Sequence, residues 1–197
     1  MNTPTHVVLS IATLSRRREP DDDRPTYVLP AALGAVAPDA AMFAFYAIEK
    51  LVNGSSEREI WTTRYFLPGW QDFFDLFNSM PFIAIGMLVA WRLGMMGWLV
   101  FFASMLLHVL CDLPLHHDDG HRHFWPLLDW RFESPVSYWD ANHYGRPAAI
   151  AELALFVVCY VWSFRKQRRW TVRTGLTLLA MVHLSFMTLA LMFWVGL

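Results

Sequence analysis

The sequence predicts an all-α, polytopic integral membrane helical bundle with four to five spans plus a short N-terminal helix. Three observations carry this expectation. Apolar residues gather in long runs, most of them near the roughly 17–25 residues a helix needs to cross a hydrocarbon core about 30 Å thick. Across 197 residues, 55% are hydrophobic and only 17% charged, against about 45–50% and about 25% in soluble domains. The short turns between runs concentrate Arg and Lys, whereas the longer loops carry Asp, His and aromatic residues, the asymmetry of a membrane topology.

Taken in order, residues 5–15 predict a three-turn helix, amphipathic or half-buried and too short to cross. Residues 16–25 are a charged linker punctuated by proline. No basic region precedes the apolar stretch from Val7 to Leu14, and Arg16-Arg17-Arg18 follow it, so insertion is expected to come from the spans themselves. The first long apolar segment covers residues 27–52, and its middle reads Gly34-Ala35-Val36-Ala37-Pro38-Asp39. A residue before proline is pushed out of the α region, so a break is expected near Ala37, with Asp39 capping a helix that resumes at Ala40.

Residues 53–78 read as a polar and aromatic loop with an interfacial turn at Phe66-Leu67-Pro68-Gly69-Trp70. Residues 79–91 predict a short or tilted span and residues 95–115 a full one, joined by a tight turn at Arg92-Leu93-Gly94. Residues 116–146 form a His-rich loop. A span over 147–164 begins with a helix-compatible proline, residues 165–173 are a basic turn without an acid, and residues 174–197 form the last span. Together these make one transmembrane domain over residues 1–197.

Short basic loops stay in the cytoplasm. Placing the 165–173 turn inside also places Arg92 and Arg16 to Arg18 inside, and sends loops 53–78 and 116–146 outward. At 1.5 Å per helical residue, Asp39 and His108 are then expected about 16 Å deep, with Asp112 nearer the outer face.

His108 and Asp112 share a helix face, because positions i and i+4 place their Cβ atoms about 5–6 Å apart. Both can reach one metal ion, or they can form a buried polar pair. An aspartate in a membrane helix costs roughly 2.5–3.5 kcal/mol, so a partner is expected. Asp39 reads equally as a helix cap or as a ligand. His6, by itself, reads as a solvated residue. His116, His117, Asp118, Asp119, His121 and His123 form either a metal site or a solvated loop, at a spacing that matches no zinc finger. His143 reads as an interfacial residue among aromatics, and His183 as a packing residue hydrogen-bonded across helices. Cys111 and Cys159 read as small apolar filler. No G-x-S-x-G, P-loop or H-E-x-x-H motif occurs. A net charge of −1 excludes a general nucleic-acid binder, which needs a basic face.

Asn2-x-x-Thr5-His6, Gly34-x-x-x-Pro38-Asp39 and His108-x-x-x-Asp112, in that order, resemble the bacterial membrane-bound, metal-dependent hydrolase family. That family is also described as LexA-binding, inner-membrane-associated hydrolase, and is distantly similar to zinc-dependent phospholipase C. The resemblance spans most of the first 115 residues and implies that His6, Asp39, His108 and Asp112 are metal ligands. It departs at Phe77-Asn78-Ser79, where the family carries Thr-His-Ser, so Asn78 stands in place of a histidine. An amide oxygen coordinates zinc poorly; the nearby His116, His117, His121 and His123 are candidates to compensate.

The combined expectation is a multi-pass protein of the bacterial inner (plasma) membrane holding one or two divalent ions, zinc before others. His6, Asp39, His108, Asp112, His116 and His117 are the candidate ligands, and Asp39, Asn78 and Asp75 the candidate catalytic or supporting groups. The reaction implied is metal-assisted hydrolysis of a phosphoester or lipid, with membrane lipids and the ion as partners. The alternatives are a non-enzymatic metal carrier, a structural partner of another membrane protein, or a pseudo-enzyme of the same family.

Overall fold

The structure is a computed structural model that describes residues 1–17 and 24–195. Part of the 16–25 linker, including Arg18, lies outside the described residues. Among the described residues every regular element is helical: α1 (Thr3–Leu14), α2 (Val28–Ala47), α3 (Glu57–Glu59), α4 (Pro68–Asn78), α5 (Met80–Arg92), α6 (Met96–Asp112), α7 (Gly145–Lys166) and α8 (Trp170–Val195). Five helical stretches are long and apolar enough to span a membrane: Val28–Val52, Pro68–Arg92, Met96–Leu115, Gly145–Lys166 and Trp170–Ala190. In their most apolar windows only 22% to 33% of residues are buried inside the molecule. The rest present side chains such as Leu88, Trp98, Val158 and Phe186 outward, a surface suited to lipid and far more apolar than a soluble monomer tolerates.

α1 is the short N-terminal helix expected, and it is buried more deeply than a half-buried helix. It packs against α2, α6, α7 and α8, and at about 18 Å long it is too short to cross the bundle. Val7, Val8 and Ile11 meet Ala35 of α2, Phe156 and Cys159 of α7, and Leu176 and Ala180 of α8. Thr5, His6 and Ser10 are buried with them.

Two expectations are corrected. α2 does not break near Ala37; it runs unbroken through Pro38 to Ala47 and continues as a π-helical turn, Ile48–Val52. Proline is tolerated in a membrane helix when neighbouring elements satisfy the backbone around it. The carbonyl that Pro38 leaves without its amide is that of Gly34. On either side of it Ser104 Oγ donates to the Ala31 carbonyl at 2.6 Å and His108 Nδ1 lies 2.7 Å from the Ala35 carbonyl, so α6 braces this stretch of α2. Asp39 is therefore a mid-helix side chain and not a cap.

The short span at 79–91 also starts earlier. α4 and α5 form one kinked stretch, Pro68–Arg92, bent at Ser79 where ψ is 110°. Asp72, Asp75 and Asn78 make its first limb look like a loop, yet Asp75 and Asn78 point inward and are buried. Ser79 Oγ donates to the Trp125 carbonyl at 2.6 Å, and Met80 N–H donates to the His123 carbonyl at 2.8 Å. The bend is thereby stitched to the 116–146 segment, which is largely irregular except for a 3-10 turn at Ala141–His143.

α2 crosses α6 at Gly34, where any Cβ would collide with the Phe101 carbonyl and the Ser104 side chain. Small residues allow such close backbone approach between membrane helices. Gly34→Ala should therefore destabilise the bundle by about 1–3 kcal/mol through overpacking. Thermal unfolding in detergent checks this, with Gly69→Ala, where a side chain meets open space, expected to leave the midpoint unchanged.

Candidate metal centre

The site begins at α1. Asn2 stands at the N-cap but does not cap with its side chain. Its amide instead donates to the two carboxylate oxygens of Glu152 on α7 at 3.0 and 3.1 Å, and its backbone N–H donates to the same group at 2.8 Å. Thr5 donates its hydroxyl to Glu152 at 2.8 Å and lies 3.4 Å from His183 Nε2 on α8. These contacts fix one face of α1, and a neighbouring face then presents Thr3 and His6 to α2 and α6.

Asp112, the last residue of α6, is the centre of what meets there. Its Oδ1 lies 2.9 Å from His6 Nε2 and 2.7 Å from the Met1 nitrogen. Its Oδ2 lies 3.1 Å from His108 Nε2 and 3.6 Å from His116 Nε2. The His6 and His108 rings stack with centroids 3.6 Å apart and planes 10° apart. Donor atoms of His6, His108 and Asp112 all lie within 4.8 Å of one another. Asp39 accepts the Thr3 hydroxyl on one oxygen and places the other 3.6 Å from His108 Nε2.

These separations fit a divalent ion. Ligands held about 2.0–2.1 Å from zinc in a tetrahedron stand about 3.3 Å from each other. The imidazole-to-carboxylate contacts here run from 2.9 to 3.6 Å, and all three donor atoms lie within 4.8 Å. The proton on His108 points the same way. A carbonyl only accepts, so His108 Nδ1 must donate to Ala35. Nε2 then either carries a second proton, and with it a charge inside the bundle, or turns a lone pair toward a carboxylate. A cation relieves the second arrangement, and a backbone acceptor holding the far ring nitrogen is the usual support of a ligating histidine. His116 differs, because its Nδ1 lies 3.0 Å from Asp119 Oδ1 as an ion-pair contact without hydrogen-bond geometry. Burial opposes charge on His116, but the Asp112 and Asp119 carboxylates outweigh it and lift the imidazole to about 9.

Asp112 carries the cluster to the edge of a cavity of about 560 Å³, which Asp39, Asn78, His116, Asp119 and His121 also help to line, while His6 and His108 lie buried behind it. Asn78 donates its amide to the Phe74 carbonyl at 2.9 Å, which leaves its side-chain oxygen as acceptor. Two candidates stand apart from the cluster. Asp75 is fully buried and accepts from the Arg122 backbone and guanidinium. His117 stacks on His143 with centroids 3.7 Å apart and holds the Ser134 carbonyl at 2.7 Å. His143 also pairs with Asp140, so it is tied into the loop. Glu152 was not among the residues singled out in the sequence, although a lone acid within a predicted span is a signal for a partnered site.

A histidine-and-carboxylate cluster buried among five apolar spans and opening on a cavity defines a polytopic helical membrane protein with a candidate metal centre. Residues 1–195 match the family described as YdjM inner membrane protein, and the chain belongs to that family. It is accordingly a multi-pass inner membrane protein. No curated protein and no solved structure matches it.

His123 supplies a pH test outside the cluster. It is 3% exposed and neither ring nitrogen has a hydrogen-bond partner. Burial first, and then His121 and His116, push its imidazole down from 6.5 to about 4. An opened loop takes up that proton near 6.5 and the closed loop only near 4, so acidification favours opening. Hydrogen-exchange protection over 116–146 should fall as pH drops through this window, and His123→Phe should flatten the dependence.

Proposed function

We propose that this protein is a metal-dependent hydrolase of the inner membrane that binds its ion through His6, His108 and Asp112. The observation that carries this reading is the convergence of those three side chains, from two helices, at a buried point where Asp112 also borders a ligand-sized cavity. His116 borders the same position and completes a nitrogen and oxygen donor set that suits zinc, with other divalent metals accommodated, and Asp39 stands beside it. A divalent ion bound there supplies Lewis acidity, lowering the pKa of water toward about 7 and withdrawing charge from a phosphoryl oxygen.

The remaining roles follow from position. Asp39 keeps one oxygen on Thr3 and the other toward the cluster and cavity, where it accepts a proton from an attacking water. Asn78 offers its amide oxygen to orient that water. Asp119 holds the His116 ring, and Glu152 fixes Asn2 and Thr5 so that His6 is presented at the right height. Asp75 acts at a distance, by anchoring Arg122 and the 116–146 segment. The substrate class that fits is a phosphoester, and a lipid is the form available to a cavity between membrane spans.

Elemental analysis of the detergent-purified protein tests the ligand set. Wild type should carry about one divalent ion per chain, or two if His116 and Asp119 hold a second, and His108→Ala should carry none while still inserting. Full metal content in His108→Ala overturns the ligand assignment. No metal in either form would favour a structural His–Asp pair that joins α1 to α6. Reversible binding without turnover on any phosphoester would favour a carrier or a pseudo-enzyme.

A further inference from the structure

We propose that the cavity beside the cluster receives an organic ammonium group, the cationic end of an amine-bearing phospholipid headgroup. The placement of the adjoining phosphoester at His6, His108 and Asp112 rests on the hydrolase reading; the ammonium site stands on the cavity itself.

Charge is the first argument. The cavity is lined by Asp39, Asp112, Asp118 and Asp119, with no lysine or arginine among its lining residues. Arg122 lies nearby but is engaged by Asp72, Asp75 and Asp129, and Arg131 donates to Gln71. The cationic groups in the lining, the Met1 ammonium and the His116 imidazole, both face Asp112, so the acids outnumber them and the balance favours a cationic headgroup. Asp118 is exposed and makes no hydrogen bond or ion pair among the described residues, so its charge is open to a ligand.

The walls are the second argument. Trp61, Tyr65, Phe66, Tyr138 and Trp139 line the same space. Trp61 sits on a π-helical turn, Ile60–Arg64, a distortion frequent at functional sites. Tyr65 packs edge-on to Phe66 with centroids 5.0 Å apart, and its hydroxyl donates to the Asp119 carbonyl at 3.4 Å. Trp139 Nε1 donates to Asp119 Oδ2 at 3.0 Å. Acid and aromatic faces are thus fixed together across the cavity. The π faces of Trp and Tyr attract weakly hydrated organic cations, whereas a hydrated divalent ion prefers a shell of oxygen ligands.

Size and access are the third. A volume of about 560 Å³ falls in the usual range of small-ligand sites, about 300–1,000 Å³. Trp61 and Phe66 are 44% and 56% exposed and lie in the turn before the Pro68–Arg92 span. Aromatic residues at span ends sit at headgroup level, which places the cavity rim where a lipid amine is found.

The test uses detergent-purified, metal-stripped protein and tetramethylammonium chloride, with binding read by ligand-observed NMR at constant ionic strength. Saturable binding is expected, weakened about tenfold by Asp118→Asn or Trp61→Ala. Asp118→Asn changes an exposed side chain and keeps the test open if Trp61→Ala fails to fold. In nanodiscs of phosphatidylethanolamine the probe should be displaced, and in nanodiscs of phosphatidylglycerol it should not. Equal binding in both nanodiscs assigns the site to a soluble amine and overturns the lipid source. Binding unchanged in both variants, or inorganic phosphate bound in preference, overturns the ammonium site. Ammonium binding in a protein that holds no metal sinks the hydrolase reading alone, and metal binding without ammonium binding sinks this inference alone.

Discussion

A carboxylate within an apolar bundle must be surrounded by donors or cations, because moving such a charge out of water costs several kcal/mol even after relaxation. Asp112 is buried at 6% exposure, and α6 alone supplies it with only His108. The other contacts come from Met1 and His6 at the start of the chain and from His116 just beyond the helix. Satisfying this one group therefore draws α1 into the middle of the bundle. It also bends the chain back over the helix end, which begins the 116–146 segment. The core packing of Val7, Val8 and Ile11 then makes the position of α1 favourable on apolar grounds as well.

Much of this was legible in the sequence. The spans were readable because length and hydropathy alone identify a membrane helix. The His108 and Asp112 pairing was readable because helical spacing fixes a shared face. The interior position of α1 was not, since twelve residues of mixed polarity look the same on a bundle's surface as at its centre. Long-range contacts distinguish the two cases, among them those of Asn2 and Thr5 with Glu152, which are separated by about 150 residues. Pro38 misled for a related reason. A local rule predicts a break before proline, but α6 donates side-chain hydrogen bonds to α2 carbonyls on the preceding turns. Tertiary partners overrode the local preference.

The first limb of the kinked span failed to read as membrane helix because its polar residues are genuine. Asp72 and Asp75 are matched by Arg122, and Asn78 by its own helix's Phe74 carbonyl. A hydropathy reading counts such residues as exposed, whereas a paired side chain behaves as a neutral, partly apolar surface. Asn78 shows how sequence and structure complement each other. The motif departure identified it as unusual, and the structure adds that it lies on the cavity wall, where an amide oxygen retains a use.

The stitches at Ser79 and Met80 have a mechanical consequence. Ser79 holds the Trp125 carbonyl and Met80 holds the His123 carbonyl, so the 116–146 segment is tied to the one bend in the Pro68–Arg92 helix pair. Lifting that segment leaves donors and acceptors unmade beside apolar surroundings, at about 1–3 kcal/mol for each buried group left without a partner. The segment and the bend therefore behave as a lever and its fulcrum: the wall of the cavity cannot swing outward without flexing a helix that lipid grips on both limbs. The stiffness and thickness of the surrounding bilayer thus become part of what sets how readily the cavity opens.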